Sequence, residues 1–198
     1  RQAATDVGAL LIINDRCDLA MAVDADGVHL GQEDLPITYV RRLLGPGKII
    51  GLSTHSAAQV REAVAEEPDY VGFGPIFSTS TKADHDPIVG LEGLRAARAL
   101  TMLPMFAIGG ITADSVGKII AIGADGVAVI SAILNAPDLG MAIRKFQQGL
   151  STPDRQAIAG ASDTNIDLFL LETFCKSYLL AIARLKLNMV MVNHIVVS

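Results

Sequence analysis

The 198-residue chain has no tryptophan, three tyrosines, six phenylalanines and only two cysteines. Cys17 and Cys175 are too few for a disulfide framework and read as ordinary thiols in a reducing, cytoplasmic setting. Positive charge is also scarce: sixteen Lys and Arg against twenty-one Asp and Glu leave a net charge of −5, with no dense basic cluster. Nucleic acid therefore has no electrostatic footprint here, and the expected partners are small molecules. A strongly apolar stretch near the end, 166–182, is interrupted by Asp167, Glu172 and Lys176 before it reaches membrane-spanning length, so no membrane partner is expected. Arg1 opens no signal peptide, because no basic head precedes an apolar run with a small-residue cleavage site, and the chain reads as cut at its start. What is abundant is apolar surface: 51% of residues are hydrophobic, enough to bury a full core in one main domain with an appendage, and too many for a disordered chain.

The order of the patterns is strand, helix, strand, helix. Six nearly continuous apolar runs, 9–14, 27–31, 49–53, 70–77, 105–109 and 126–131, read as parallel strands buried on both faces. Between and after them lie helical patterns at 17–23, 35–44, 57–66, 91–100, 113–122 and 137–148. Thr112 stands at an N-cap position, while Gly45 and Gly123 stand just past helix ends. Ala25-Asp26-Gly27-Val28 and Ala124-Asp125-Gly126-Val127 repeat at helix-to-strand joints, with Pro68-Asp69-Tyr70-Val71 as a looser copy. Good turn chemistry explains each copy singly; their spacing of βα units favours a barrel. Strand count alone favours an open doubly wound sheet, but chemically useful residues follow nearly every strand, as around the C-terminal rim of a barrel.

Asn14-Asp15 and Gly31-Gln32-Glu33-Asp34 end the first two strands, which puts Asp15 and Asp34 at one rim as two oxygen ligands suited to Mg²⁺. Taken alone, an aspartate after a strand is more often a helix cap. The run Phe73-Gly74-Pro75-Ile76-Phe77-Ser78-Thr79-Ser80-Thr81-Lys82 ends an apolar strand in hydroxyls and one positive charge, a set that suits phosphate as well as it suits a solvated loop. Ala107-Ile108-Gly109-Gly110-Ile111 and Val129-Ile130-Ser131-Ala132-Ile133 follow the last two strands, where barrels commonly hold phosphate. Among the histidines, His29 reads as a packed core residue, His55 as a surface loop residue within reach of the rim, and His85 as part of an exposed acidic loop. No Cys/His set has zinc spacing.

These segments, together with Gly27-Val28-His29-Leu30, Gly51-Leu52-Ser53 and Gly72-Phe73, strongly resemble the thiamine-phosphate synthase family, in order from about Gly8 to about Phe146. The resemblance implies a TIM-type (β/α)8 barrel enzyme of thiamine biosynthesis. Such an enzyme joins hydroxymethylpyrimidine diphosphate to thiazole phosphate, with Mg²⁺, and releases pyrophosphate. It implies Asp15 and Asp34 as metal ligands, and Asn14, Ser53 and Lys82 as contacts of the pyrimidine diphosphate, Lys82 being catalytic through the leaving charge. Thr79, Ser80, Thr81, Gly110, Ile130 and Ser131 would hold the thiazole phosphate. In the family the diphosphate is thought to leave before the thiazole nitrogen attacks, so no side-chain nucleophile is expected.

The family's first two strands, with a Gln-x-Arg-x-Lys type segment, have no counterpart before Arg1. The expectation is an incomplete barrel over 1–148 with about six of eight strands, in a fragment of a longer product or a degenerate locus. Related thiazole tautomerase, or a non-catalytic phosphate-binding remnant, are the competing readings. After residue 148 the resemblance ends. The segment 151–164 reads as a polar linker and 165–186 as an amphipathic helix with Ile166, Leu170, Phe174, Tyr178 and Ile182 on one face. A strand is expected within 189–197. This extension is a candidate to cover the open barrel edge or to mediate association, and the sequence leaves a homo-oligomer open.

Overall fold

The computed structural model describes residues 1–6, 8–79, 86–150, 179–184 and 187–192. Six parallel strands carry the architecture: β1 (Leu10–Asn14), β2 (Gly27–Leu30), β3 (Ile49–Thr54), β4 (Tyr70–Phe73), β5 (Met105–Ile108) and β6 (Gly126–Val129). Each is followed by helix: α2 (Cys17–Ala22), α3 (Ile37–Leu44), α4 (Ala57–Glu66), α5 (Gly90–Arg98), α6 (Ala113–Ile122), and after β6 a short α7 (Ser131–Leu134) and then α8 (Leu139–Leu150). A further helix, α1 (Gln2–Asp6), precedes β1 and has no signal in the apolar pattern. The expected α/β barrel architecture with six matched parallel strands is therefore present.

Helix ends follow local chemistry. Thr112 and Ser115 form a reciprocal capping box at the start of α6, and Gly123 ends that helix at φ 108°, a conformation open to glycine at little cost. Two strand predictions run too long by more than one residue. The strand expected over 70–77 stops at Phe73, because Pro75 has no amide to give a ladder; beyond it the Ile76 and Phe77 amides donate to the Ile108 and Gly109 carbonyls at 2.8 and 3.1 Å. The strand expected over 126–131 ends at Val129, and Ser131 already opens α7.

The core lies between the strands and their helices. Val28, Leu30, Ile50, Val71 and Met105 are fully buried against Val40, Val60, Leu94, Val116 and Ile119 from the helix layer. Burying one such side chain contributes about 1.5–3 kcal/mol before conformational entropy is set against it. Inside the barrel a second, smaller cluster of Ile12, Tyr70, Phe106 and Ala128 fills the axis.

The repeated Asp-containing joints have one structural meaning at the N-terminal rim. The Asp26 amide donates to the Leu11 carbonyl at 2.9 Å, and the Leu11 amide donates back to the Asp26 carboxylate at 2.8 Å. Asp69 makes the same ring with Ile50 (2.8 and 2.7 Å) and Asp125 with Met105 (2.8 and 3.0 Å). Each carboxylate also meets an arginine: Arg1 on Asp26, Arg41 on Asp69 at 2.7 Å and Arg98 on Asp125 at 3.2 Å. Turn chemistry alone is thus an incomplete account of the repeat. The aspartates tie the start of one strand to the joint that leads into another.

Two strands come from the C-terminal segment. β7 (Leu179–Arg184) pairs antiparallel with β6, and β8 (Leu187–Val192) pairs antiparallel with β7 and parallel with β1, so the sheet closes in the order β1 to β8. This corrects the helix expected over 165–186 for its last part, since 179–184 is strand; 165–178 lies outside the described residues. The physical reason is non-local. β1 and β6 each present a row of unpaired backbone groups on one side, and an apolar segment that can run extended gains a ladder with both. The strand expected within 189–197 begins at Leu187, and residues 193–198 lie outside the described residues.

Asp125→Ala leaves the Met105 amide without its acceptor and Arg98 without its carboxylate, so urea unfolding should show a loss of about 1–3 kcal/mol. Ending the chain at Leu150 should lower the thermal midpoint and promote self-association, read by size-exclusion chromatography, because the edges of β1 and β6 are then bare.

Candidate functional site

In a strand, alternate side chains face opposite sides, and the buried axis cluster sets which parity points inward. Inward positions are Leu10 and Ile12 on β1, Ile49 on β3, Tyr70 on β4, Phe106 and Ile108 on β5 and Ala128 on β6. Continuing each by two residues brings Asn14, Gly51, Ser53, Gly72 and Ile130 to the same interior column, toward the C-terminal rim. The neighbouring register agrees: Asn14 stands beside His29, His29 beside Gly51, Gly51 beside Tyr70, and Ser53 beside Gly72. Asn14, Ser53 and Ile130 are half-buried, as expected at the mouth of a filled barrel.

The two aspartates expected as metal ligands sit just beyond strand ends. Asp15 follows β1 with φ 61°, a left-handed conformation that a non-glycine residue adopts at a cost and that recurs at functional sites. Its amide donates to the His29 carbonyl at 2.8 Å, which carries the β1–β2 ladder one step past Asn14. Asp34 folds back over its own loop, its Oδ2 accepting the Gly31 amide at 2.6 Å. Neither aspartate holds an N-cap position, since Arg16 stands there for α2 and Pro36 for α3, each without a side-chain cap bond. Burial first, and then the charges of Asp34, Asp18 and Asp15, push the Cys17 thiol up from its usual value, so both rim carboxylates bear on one small region. Among the described residues no group of three or more His, Cys, Asp or Glu side chains is arranged to hold a metal ion.

The loops after β4 and β5 are packed together through glycines. A Cβ on Gly74 would stand 2.2 Å from the Ile108 carbonyl oxygen, and one on Gly109 2.5 Å from the Pro75 ring. Gly110, at φ 64°, approaches so closely that a Cβ would stand 2.3 Å from the Ser78 carbonyl oxygen. Thr79, half-buried, is thereby brought to the Gly109-Gly110 turn. Ile130 leads into α7, whose first residue, Ser131, is exposed at the same rim. Ser80, Thr81, Lys82 and His85 lie outside the described residues.

Three features escape a reading by sequence. Gln32 Nε2 donates to the Ser53 backbone carbonyl at 2.6 Å, linking the loop after β2 to the end of β3. His55, expected on a surface loop, is half-buried; its Nδ1 lies 2.7 Å from the Gly74 carbonyl oxygen and its Nε2 3.4 Å from Asp86 Oδ2. His29 is buried at 4% exposure, as a core histidine should be, yet its ring nitrogens face Tyr70 and Ser53 rather than apolar neighbours. Strand parity was the available signal for the last, because His29, Ser53 and Tyr70 all fall on inward positions.

Gly110→Ala combines a left-handed φ with overlap on Ser78, so it should destabilise the fold by about 1–3 kcal/mol and displace residues 77–79. Thermal unfolding, with amide chemical shifts of Ser78 and Thr79, reads both effects.

Known proteins resemble this chain in sequence and in fold. The family model described as thiamine monophosphate synthase matches residues 1–133. Thiamine-phosphate synthase of Moorella thermoacetica is 49% identical over 148 residues, which is 75% of this chain and 70% of that protein. The enzyme of the same name from Synechococcus sp. strain CC9605 is 51% identical over 150 residues, covering 76% of this chain and 42% of the longer relative. The chain thus spans less than half the length of that second relative. A solved structure of thiamine phosphate pyrophosphorylase from Pyrococcus furiosus superposes with a TM-score of 0.69 at 39% identity, covering 75% of this chain and 71% of that one. On the matched family model, these identities and the shared parallel barrel, the chain belongs to the thiamine-phosphate synthase family.

Proposed function

We propose that this chain is a transferase that condenses hydroxymethylpyrimidine diphosphate with thiazole phosphate, forming thiamine phosphate and releasing pyrophosphate. The observation that carries the reading is the gathering, at the C-terminal rim, of Asn14, Asp15, Asp34, Ser53, Thr79, Gly110, Ile130 and Ser131 from the ends of six strands, in a chain whose family is named for this product. Catalytic groups in parallel barrels come from that rim and seldom from the other.

Each group has a task that its chemistry suits. The reaction breaks the bond between the pyrimidinylmethyl carbon and the diphosphate oxygen and makes one from that carbon to the thiazole nitrogen. Negative charge grows on the departing diphosphate, where Lys82 supplies a positive charge. Asn14 and Ser53 offer short polar contacts to the pyrimidine diphosphate. Thr79, with Ser80, Thr81, Gly110, Ile130 and Ser131, would hold the thiazole phosphate, where close-packed glycine backbone lets amides approach an oxyanion. Positioning two bound substrates, with no side-chain nucleophile, is the main catalytic contribution.

Asp15 and Asp34 fit a Mg²⁺ ion. Both are oxygen donors at one rim, and Asp34 gives one oxygen to the Gly31 amide while its other has no hydrogen-bond partner among the described residues. Bound there with substrate phosphate oxygens, the ion would neutralise diphosphate charge. The proposed location is the cytoplasm, since multiply charged phosphorylated substrates do not cross membranes unaided; among the described residues no helix is long and apolar enough to span one.

Pyrophosphate release from the two substrates should require Mg²⁺, and a folded chain that releases none would overturn the reading. Lys82→Ala should lower turnover by about 10²-fold with unfolding unchanged. Asp34→Asn should raise the Mg²⁺ concentration needed for half-maximal rate, as measured by titrating the metal at saturating substrate.

A further inference from the structure

The barrel interior holds three polar side chains in a row. Tyr70 is 3% exposed and its hydroxyl lies 2.9 Å from His29 Nδ1. On the far side of the ring, His29 Nε2 lies 2.8 Å from Ser53 Oγ. The two rings stack with centroids 5.4 Å apart and planes 28° from parallel, and Phe106 meets Tyr70 edge-on at 5.4 Å. Gly51 makes the arrangement possible, because a Cβ there would stand 2.1 Å from Tyr70 Cζ and 2.5 Å from His29 Nδ1. This is a built feature, with one strand giving up its side chain so that two others can meet.

Hydrogen-bond accounting then sets a direction. The Tyr70 hydroxyl has His29 Nδ1 as its only hydrogen-bond partner among the described residues. If Nδ1 carried the proton and donated, the buried phenolic O–H would be left without an acceptor. Burial, with the charge of Asp69, pushes the phenol well above its usual value, so it stays protonated. Tyr70 therefore donates to Nδ1, the ring is the neutral Nε2–H tautomer, and Nε2–H donates to Ser53 Oγ. Ser53 Oγ accepts that bond, and its own proton has no acceptor among the described residues.

We propose that Tyr70 and His29 are positioning residues, a one-way hydrogen-bond relay that occupies one Ser53 Oγ lone pair and turns the Ser53 hydroxyl proton toward the barrel mouth. The ligand atom that Ser53 meets is then a lone-pair acceptor, such as an unprotonated ring nitrogen or a carbonyl or phosphate oxygen. An N–H or O–H donor of the same shape is disfavoured there, since His29 takes one Oγ lone pair and a ligand donor would leave the Ser53 proton without an acceptor. This rests on the proposed function only in identifying that ligand as the pyrimidine substrate; the direction of the relay is independent of it.

Two measurements on the full chain test it. Long-range ¹⁵N–¹H correlation at neutral pH should show His29 as the Nε2–H tautomer, its signals assigned by their loss in His29→Gln. In Tyr70→Phe, which keeps both ring contacts, they should move toward a tautomer mixture. A wild-type ring carrying the proton on Nδ1, or on both nitrogens, overturns the relay whether or not the chain is active. In steady-state kinetics Tyr70→Phe should raise KM for the pyrimidine diphosphate about tenfold, the effect of one hydrogen bond, and leave KM for thiazole phosphate unchanged. Ser53→Ala should do the same, and the double variant should be no worse than Ser53→Ala. His29→Gln, whose amide can still donate to Ser53, should retain more affinity than His29→Leu. Additive effects of Tyr70→Phe and Ser53→Ala, or an unchanged pyrimidine KM, overturn the role assigned to the relay. A chain with the Nε2–H tautomer but no pyrophosphate release would instead refute the proposed reaction and leave the relay's direction intact.

Discussion

Strand register is the constraint on which the rest depends. A strand has a side-chain period of two, so slipping one ladder by one residue would turn its whole inward column out to the helices. In this chain the slip would replace His29 by Val28 or Leu30 at the axis, and Ser53 by Leu52 or Thr54. Register is held at the N-terminal rim by the reciprocal rings of Asp26 with Leu11, Asp69 with Ile50 and Asp125 with Met105. The arginine beside each carboxylate adds a second partner at the same place. The two ends of the barrel are thus mechanically linked: carboxylates at one end decide which side chains arrive at the other.

Between the rims, the axis is a packing problem solved by omission. Gly51 and Gly72 carry no side chains where His29 and Tyr70 need room, and Ile12, Phe106 and Ala128 fill what is left. A polar pair can lie in that apolar column only because its hydrogen bonds are made within it. The same economy recurs at the mouth, where Gly74, Gly109 and Gly110 let the loops after β4 and β5 touch backbone to backbone. The site is therefore closely packed where those two loops meet.

Closure of the sheet by β7 and β8 has a different origin from the six parallel strands. Those six arise from βα units in which each strand lies beside the next in sequence, so local patterns announce them. The hairpin pairs with β6 in the antiparallel sense and reaches back to β1, a partner far away in sequence. An apolar run of its length has no periodicity that distinguishes helix from strand, and the ladders it completes belong to other parts of the chain.

By itself the sequence determined the βα order, the helix limits to within two residues and the family, because these are written in local periodicity, capping residues and ordered motifs around Asn14-Asp15, Gly27 to Asp34, Gly72 to Lys82 and Ala107 to Ile111. It also pointed to the C-terminal rim, since every parallel strand delivers its end to the same side. Only the tertiary structure decided that α2 and α3 begin without capping by Asp15 or Asp34, and that the repeated aspartates staple strands. Only it decided that His29 is wired to Tyr70 and Ser53, and that part of an apparent helix is a closing strand. Each of these depends on which residues from distant segments meet, and periodicity along one segment carries no record of what stands across from it.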